Sequence, residues 1–336
     1  MIRKMHSTFL SADGVTKLHL VMYLPNPKHC LYPEGMEETD GLPRAILQIA
    51  HGMTEHLERY DAFAKYLANR GILVVGHDML GHGMSVADPA NADLYGYFAP
   101  KDPNRVLLED LYQLMQDMKT RYPGVPYILM GHSFGSFLAR QFVFDYPDMA
   151  DGVIVMGTGM PGRGAVRTMK ILLGIIGKIR GDRHHTKFVN NLIFKGYAKK
   201  FPEDETGFGW LTKDEDIVKA YVADPRCGFV FTVNGFKAMF DGIGRLQKKH
   251  NLKMIPKSLP MLIVSGKEDP VGNMGRAPKK VARSLRRLGM DHVTLRLFLD
   301  DRHEPHNETD RELVYYYLYR WMKREHLLTE LPAKED

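Results

Sequence analysis

The feature that most constrains the chain is the stretch Tyr127-Ile-Leu-Met-Gly-His-Ser-Phe-Gly-Ser136, a Gly-x-Ser-x-Gly pattern centred on Ser133. Four apolar residues suited to a buried strand precede the pattern, and an apolar run with helical spacing follows it. The serine therefore occupies a tight strand–turn–helix junction, where side chains two residues before and after it would collide. Gly131 and Gly135 remove those side chains. A chance glycine–serine turn is the alternative, but the strand and helix around it favour a nucleophilic serine.

Composition limits the class of protein. With 44% hydrophobic and 26% charged residues, the 336-residue chain is typical of a soluble globular protein with a large core. Its two cysteines, Cys30 and Cys227, fit neither a disulfide framework nor a metal site, so we expect a cytoplasmic setting and no metal or cofactor. No signal-peptide pattern or run of about 18 apolar residues occurs. The net charge of +6 permits weak attraction to anionic surfaces without requiring a nucleic-acid partner.

Alternating apolar patterns predict an α/β fold. A hairpin is expected over residues 7–24. Further strands are expected at 45–50, 72–75, 127–130, 152–156, 261–264 and 293–298. Helices separate most of these strands, and apolar strands of this kind indicate a mostly parallel sheet covered by helices on both faces.

The alternation breaks between the fourth and fifth of these apolar strands. Residues 160–255 show helical patterns and no convincing core strand, which predicts a helical insertion. The core domain is then expected to comprise residues 1–159 and 256–336. We also expect a loop over residues 25–43 and a frayed, charged tail after Leu327.

A serine hydroxyl needs a general base, and the base needs an orienting acid. In α/β folds these groups lie on loops after later strands, in the order nucleophile, acid, histidine. Asp269 and His303 satisfy this order. Glu268 and Asp301 are alternatives for the acid, and His306 is an alternative for the base.

A metal site at His303-Glu-Pro-His306 is rejected. The two histidines lack the i, i+4 spacing of a zinc-binding helix, and Pro305 argues against a helix at this position. The chemistry instead needs two preorganised hydrogen-bond donors for the oxyanion. We expect these to be the backbone N–H groups of Phe134, which follows the nucleophile, and of Met53, on the loop after an early strand. A simple strand-ending turn at His51-Gly52 is the alternative.

With these segments in place, the chain resembles the α/β-hydrolases of the monoacylglycerol lipase and lysophospholipase group, which are serine aminopeptidase S33-like. The matching segments are His51–His56, Asp78–Ser85, Gly131–Gly135, Ser265–Gly272 and Arg302–Glu308. The resemblance implies a catalytic triad of Ser133, Asp269 and His303, an oxyanion hole of Met53 and Phe134, and a preference for His303 over His306. The chain departs from the family pattern at Leu299-Asp300-Asp301 and at Pro305-His306.

In this family the segment at 160–255 would be a lid over the acyl site. Residues 161–200 contain ten Lys or Arg residues against one acid, Asp182, interleaved with apolar residues. Such a helix can rest transiently on an anionic membrane or micelle. Alternatively its apolar face packs over the cleft, and one lid can do both. Candidate lid contacts are Phe208, Trp210, Tyr221, Phe229 and Phe231.

The resemblance implies a serine hydrolase that cleaves lipid-like carboxylic esters, such as monoacylglycerols or lysophospholipids, through an acyl-enzyme. A thioesterase and a proline-preferring aminopeptidase are alternatives on the same scaffold. A non-catalytic basic protein that binds nucleic acid or membrane through residues 161–200 and Arg276–Arg287 is the alternative outside catalysis. An aminopeptidase would need acidic groups for the substrate amine. The basic stretch 161–200 argues against it, whereas the acidic stretch 203–216 leaves room for it.

Overall fold

The computed structural model describes residues 2–31 and 41–331, which form one eight-stranded sheet flanked by α-helices. The strands are β1 (Arg3–Leu10), β2 (Lys17–Leu24), β3 (Ala45–Ala50), β4 (Ile72–His77), β5 (Tyr127–His132), β6 (Gly152–Met156), β7 (Met261–Gly266) and β8 (Val293–Phe298). The helices are α1 (Asp61–Ala68), α2 (Pro103–Arg121), α3 (Phe134–Asp145), α4 (Arg163–Arg180), α5 (Lys187–Ala198), α6 (Glu215–Ala223), α7 (Val233–Leu246), α8 (Lys249–Lys253), α9 (Arg276–Arg286) and α10 (Arg311–Arg324).

The strand order is β1-β2-β4-β3-β5-β6-β7-β8. The β1–β2 and β2–β4 pairs are antiparallel, and the pairs from β4 to β8 are parallel. The predicted hairpin and the mostly parallel sheet are therefore confirmed, although β1 begins at Arg3. Parallel strands end at one edge of the sheet, so the loops after β3, β5, β7 and β8 converge there.

Both faces of the sheet are buried. On β3, Ile46 and Ala50 belong to the apolar cluster that includes α2, α3 and α7. Leu47 and Ile49, which point the opposite way, belong to a second cluster with α1 and α10. Burial on both faces explains why these strands read as continuous apolar runs rather than as alternating patterns.

Residues 160–255 contain α4 to α8 and no strand of the sheet, as predicted. Val166 and Leu173 of α4 and Phe236 of α7 lie in the same apolar cluster as α2 and α3. A smaller cluster within the segment contains Phe201, Trp210, Leu211 and Tyr221. The division of the chain into a core and a lid remains a prediction.

Two predictions fall partly outside the described residues. Of the loop predicted at 25–43, residues 32–40 are not described, and the described part includes a 3-10 turn at Pro27–His29. Of the tail predicted after Leu327, residues 332–336 are not described. Leu327 itself is buried, because its side chain packs against Gly152 at the start of β6. Among residues 2–31 and 41–331, no helix is both long and apolar enough to cross a bilayer.

Candidate active site

Ser133 lies at the junction of β5 and α3 in the positive-φ half of the Ramachandran plot, which L-residues rarely occupy, with φ 50° and ψ −114°. Such a conformation costs about 1–3 kcal/mol and persists only where the surroundings impose it. A Cβ atom on Gly131 would lie 2.2 Å from the Gly135 carbonyl oxygen, and one on Gly135 would lie 2.0 Å from the Ala50 carbonyl oxygen. The predicted need for glycine at both positions is therefore confirmed.

Backbone hydrogen bonds hold this turn against its neighbours. The Ser133 N–H donates to the Met156 carbonyl over 3.0 Å, and the Gly135 N–H donates to the His51 carbonyl over 3.1 Å. The second bond joins the turn after β5 directly to the loop after β3. The backbone of Gly52 and Met53 therefore lies beside the serine.

His303 and Asp269 form a buried pair on the loops after β8 and β7. The His303 Nδ1 and Asp269 Oδ1 atoms are 2.9 Å apart, and both side chains are almost fully buried. Because Nδ1 faces a carboxylate oxygen, it carries the proton, and Nε2 is left as the acceptor. The structure thus brings these two predicted residues together.

Asp269 is held as a carboxylate. Its oxygens also accept hydrogen bonds from the Val271 N–H at 2.8 Å and the Ser265 hydroxyl at 3.0 Å. Burial alone raises the pKa of Asp269, but the charge and hydrogen bond of His303 and the other donors outweigh burial and leave the pKa below its ordinary value. An ionised Asp269 can stabilise an imidazolium on His303.

The alternative acids and base occupy other environments. His306 is fully buried and stacks on Tyr60 with ring centroids 4.5 Å apart. Burial, followed by the nearby His132, lowers the pKa of His306 to about 3. Burial, followed by repulsion from Asp310 and Glu308, raises the pKa of Asp301 to about 7. Within the described chain, neither Asp301 nor Glu268 makes a side-chain hydrogen bond to His303, so Asp269 is its carboxylate partner.

A cavity of about 1170 Å³ opens beside the serine. Met53, Ser133, Phe134 and His303 all line it. Across residues 2–31 and 41–331, the backbone N–H groups of Met53 and Phe134 donate to no protein acceptor. Both predicted oxyanion donors therefore lie at the cavity with their hydrogen-bonding capacity unused.

Most of the predicted aromatic contacts also line this cavity. Phe208, Trp210, Tyr221 and Phe229 contribute to the wall, and the Trp210 ring lies 5.2 Å from that of His303. Phe231, the remaining candidate lid contact, is not among the lining residues; it is fully buried and packs edge-on against Phe134.

Sequence reasoning missed a buried charged network beneath the loop after β3. Glu55 accepts hydrogen bonds from the Gly52 N–H and, over 2.7 Å, from the Tyr60 hydroxyl. Arg59 bridges Glu55 to Glu304, with a distance of 2.7 Å to each Glu304 oxygen. The only sequence signals were the i, i+4 spacing of Glu55 and Arg59 and the match of Glu55 to the His-Gly-x-x-Glu-His segment.

His132 completes the network as a buried imidazolium. Its Nε2 faces the His303 carbonyl at 3.2 Å, and its Nδ1 faces Glu55 at 3.2 Å and the Tyr60 oxygen at 2.9 Å. Since the Tyr60 hydroxyl proton is donated to Glu55, both ring nitrogens face acceptors and both carry protons. Burial alone would lower the pKa of His132, but the hydrogen bond and charge of Glu55 and the charge of Glu304 raise it above its ordinary value. Two cations thereby balance two carboxylates.

Replacing Glu55 by glutamine is expected to destabilise the protein by roughly 3 kcal/mol, because Arg59 and His132 would lose a buried counter-ion. Urea unfolding measures this loss. Glu58→Gln is the matched control, since Glu58 is about one-quarter exposed and its pairs with Lys4 and Arg226 contribute about 1 kcal/mol or less. Equal stability losses in the two variants would contradict a special role for the buried network.

One further group of side chains has the make-up of a metal site. In the part of the chain that is described, His56, Asp224 and Cys227 offer ligand atoms within 4.8 Å of one another. The Arg226 guanidinium, however, already lies 2.7 Å from Asp224 Oδ2. A cation in this position disfavours a metal ion, so these residues carry no metal assignment.

Comparison with known proteins identifies the family of the chain. The Hydrolase_4 family model, described as serine aminopeptidase, S33, matches residues 41–310. A monoglyceride lipase homolog of Monkeypox virus is 26% identical over 275 residues, covering 80% of this chain and 84% of the viral protein. A monoacylglycerol lipase of Mycolicibacterium smegmatis is 24% identical over 301 residues, covering 87% of this chain and 92% of that protein.

The fold also matches that of a thermostable carboxyl esterase from Bacillus coagulans in complex with glycerol. The TM-score is 0.83 at 22% sequence identity, covering 96% of this chain and 99% of that chain. This likeness supports the fold, while the family model spans most of the chain. The chain therefore belongs to the Hydrolase_4 (serine aminopeptidase, S33) family, within the monoacylglycerol lipase group of α/β-hydrolases, and is a carboxylic ester hydrolase.

Proposed function

We propose that this hydrolase cleaves lipid-like esters, with monoacylglycerols as the leading substrate class, through an acyl-enzyme on Ser133. His303 Nε2 takes the proton from the serine hydroxyl as its oxygen attacks the ester carbonyl, and then delivers it to the leaving alcohol. Asp269 keeps His303 in the required tautomer and stabilises its imidazolium. A water molecule activated by His303 then hydrolyses the acyl-enzyme.

In this proposal the Met53 and Phe134 N–H groups stabilise the tetrahedral oxyanion. Removing one such donor from a comparable site costs about 10²–10³ in kcat. The hydrogen bond from the Gly135 N–H to the His51 carbonyl supports this role, because it holds the two segments that carry the donors next to each other before substrate binds. Preorganised donors need no rearrangement as charge develops.

The observation that carries the proposal is that Ser133 and His303 line the same large cavity, with His303 paired to Asp269. The cavity exceeds the roughly 300–1,000 Å³ of typical small-ligand sites, and aromatic and aliphatic side chains form much of its wall. A fatty acyl chain suits such a wall. The names of the viral and mycobacterial relatives, a monoglyceride lipase homolog and a monoacylglycerol lipase, favour glycerol as the alcohol.

An aminopeptidase is the second candidate, because the family description names one and two carboxylates, Glu55 and Glu304, line the cavity. Arg59 is paired with both carboxylates and His132 with Glu55, so both are poor receptors for a substrate amine. A thioesterase would use the same residues. The match to a family of ester hydrolases gives no support to the non-catalytic alternative.

Hydrolysis of p-nitrophenyl esters from acetate to palmitate tests the proposal. We expect kcat/KM to peak at medium or long acyl chains, because each buried methylene contributes about 0.8 kcal/mol. Monoacylglycerol, an acyl thioester and prolyl p-nitroanilide are assayed in parallel. Activity confined to acetate would contradict the lipid assignment, and faster cleavage of the anilide or thioester would replace it with one of the alternatives.

We also propose that α4 and α5 form part of a lid that meets lipid surfaces. On α4, Val166, Met169 and Leu173 are buried against the protein, while Ile171, Ile175 and Ile179 are more than half exposed at i, i+4 spacing. One helix thus presents apolar side chains on two sides. This arrangement supports both alternatives raised by the sequence, namely packing over the cleft and contact with a membrane or micelle.

The double variant Ile175→Ser/Ile179→Ser is expected to lower kcat/KM for vesicle-bound monoacylglycerol by roughly tenfold, because about 1–2 kcal/mol of apolar burial in the lipid is lost. Hydrolysis of a water-soluble short-chain ester should not change. Leu313→Ser on α10, another half-exposed apolar position, is the matched control and should leave both activities unchanged. A parallel loss on the soluble ester would show that the effect does not depend on the lipid surface.

A further inference from the structure

The helix α9 and the residue after it carry an extreme charge pattern. Between residues 276 and 287 there are six cations and no acid. All six are exposed, and they are Arg276, Lys279, Lys280, Arg283, Arg286 and Arg287. Their i, i+3 and i+4 spacing places them on one side of the helix, while Val281, Ala282 and Leu285 bury the other side against the sheet.

This charge is not compensated within the protein. None of the six cations forms an ion pair with an acid of residues 2–31 or 41–331. Glu325, the acid that contacts the connection from α9 to β8, is paired with His292 and Arg324 instead. Like charges at i, i+4 destabilise a helix, so folding alone gives no reason for such a face.

The cationic face contains a surface depression and extends to the cavity of the active site. Lys279, Arg283, Arg286 and Arg287 line a shallow depression of about 500 Å³ together with Leu295. Arg286 is fixed there, since its Nε and Nη2 atoms donate to the Val293 carbonyl over 3.2 and 2.7 Å. At the other end of the helix, Arg276 and Lys280 line the catalytic cavity itself.

We propose that α9 is a docking site for the phosphate headgroups of an anionic membrane, which holds the mouth of the cavity against the lipid that contains the substrate. This inference rests on the proposed lipid esterase function. The attraction between uncompensated cations and anionic headgroups supplies the binding free energy. Arg and Lys side chains at the depression would contact the phosphates, with Arg able to do so in bidentate geometry.

The surroundings favour a membrane over nucleic acid. Single-stranded nucleic-acid sites place aromatic side chains between the cations to stack on bases, and residues 276–287 contain no aromatic residue. The same cavity is lined by Leu192 of α5, and Leu192 and Phe188 of that helix are both more than half exposed. Exposed cations and exposed apolar side chains that border one cavity match a bilayer surface, where headgroups and acyl chains lie side by side.

Flotation of the full chain with vesicles tests this docking. The vesicles contain phosphatidylcholine alone or phosphatidylcholine mixed with phosphatidylglycerol, each at low and high salt. We expect binding to the anionic vesicles at low salt, and a loss of affinity of about tenfold or more in Arg283→Gln/Arg287→Gln. Neither residue lines the catalytic cavity, so hydrolysis of p-nitrophenyl butyrate and the thermal unfolding midpoint should match the wild type. Lys279→Gln/Arg283→Gln should repeat the loss.

The matched control is Lys248→Gln/Lys249→Gln, which removes the same charge from exposed positions at α8. If this control still binds vesicles, the loss of affinity in the α9 variants is due to the position of the charges on α9. An equal loss in the control would overturn the proposal, because the net charge of the protein would then explain the binding. Wild-type binding that is absent, or equal on both vesicle types, also overturns it. The proposal is also overturned if binding to duplex RNA or DNA depends on α9 and binding to vesicles does not. The butyrate assay reads the catalytic function separately, so failure of docking and failure of catalysis are distinguishable.

Discussion

Replacing Ser133 by alanine is expected to lower kcat for every ester that the protein hydrolyses by about four orders of magnitude or more. The variant lacks the oxygen that would form the acyl-enzyme, and His303 and Asp269 have no other hydroxyl to activate at this position. Alanine is smaller than serine and Gly131 and Gly135 are unchanged, so the turn can still form and the free energy of unfolding should not fall. The substitution should not raise the stability either, since alanine disfavours a φ of 50° as serine does and the backbone strain remains.

Covalent labelling gives a readout that does not depend on the substrate. A fluorophosphonate should label the wild type at Ser133 and should not label Ser133→Ala. Thermal unfolding of the two proteins checks that the fold is unchanged. A variant that still turns over esters at a substantial fraction of the wild-type rate, or that is still labelled, would show that another residue is the nucleophile.

Replacing Asp269 by asparagine is expected to lower kcat by about 10⁴, as in serine hydrolases where the orienting carboxylate becomes an amide. An amide can present its NH₂ group to His303 Nδ1, which then becomes the acceptor and leaves the proton on Nε2. That tautomer cannot take the serine proton. The variant also loses the negative charge that stabilises the imidazolium.

Glu268→Gln is the matched control, because it makes the same chemical change at the neighbouring position. Glu268 is partly exposed and forms no side-chain hydrogen bond to His303 in the described structure, so its substitution should change kcat less than about threefold. Asp301→Asn tests the other alternative acid. A large loss in either of these variants, with activity retained in Asp269→Asn, would move the orienting role away from Asp269.

The strands and the elbow were predictable because they depend on local pattern. Order along the chain left two histidines and three acids as candidates, and the family resemblance favoured His303 and Asp269 among them. Gly131 and Gly135 are required by contacts within a short turn and by the adjacent strand β3, which sequence periodicity already placed. The position of Asp269 follows from its place after β7. Such local patterns predict the site because the topology of a parallel sheet allows few positions for the loops that follow its strands.

The buried network was not predictable, since it depends on residues far apart in the sequence. Glu304 reaches Arg59 across 245 positions, and His132 reaches the His303 carbonyl across 171. His132 stands at the variable position of the Gly-x-Ser-x-Gly pattern, where no rule calls for a charge.

The charge balance beneath the active site limits how this protein can change over generations. Any one-step replacement of Glu55, Arg59, His132 or Glu304 by an uncharged residue leaves a buried charge without its partner, at a cost of about 3–5 kcal/mol. Simultaneous loss of a cation and a carboxylate can be nearly neutral if apolar side chains fill the space. The four positions are therefore strongly epistatic. Lineages that lose one member should carry a compensating change at another, and laboratory libraries built from single substitutions will miss the functional combinations.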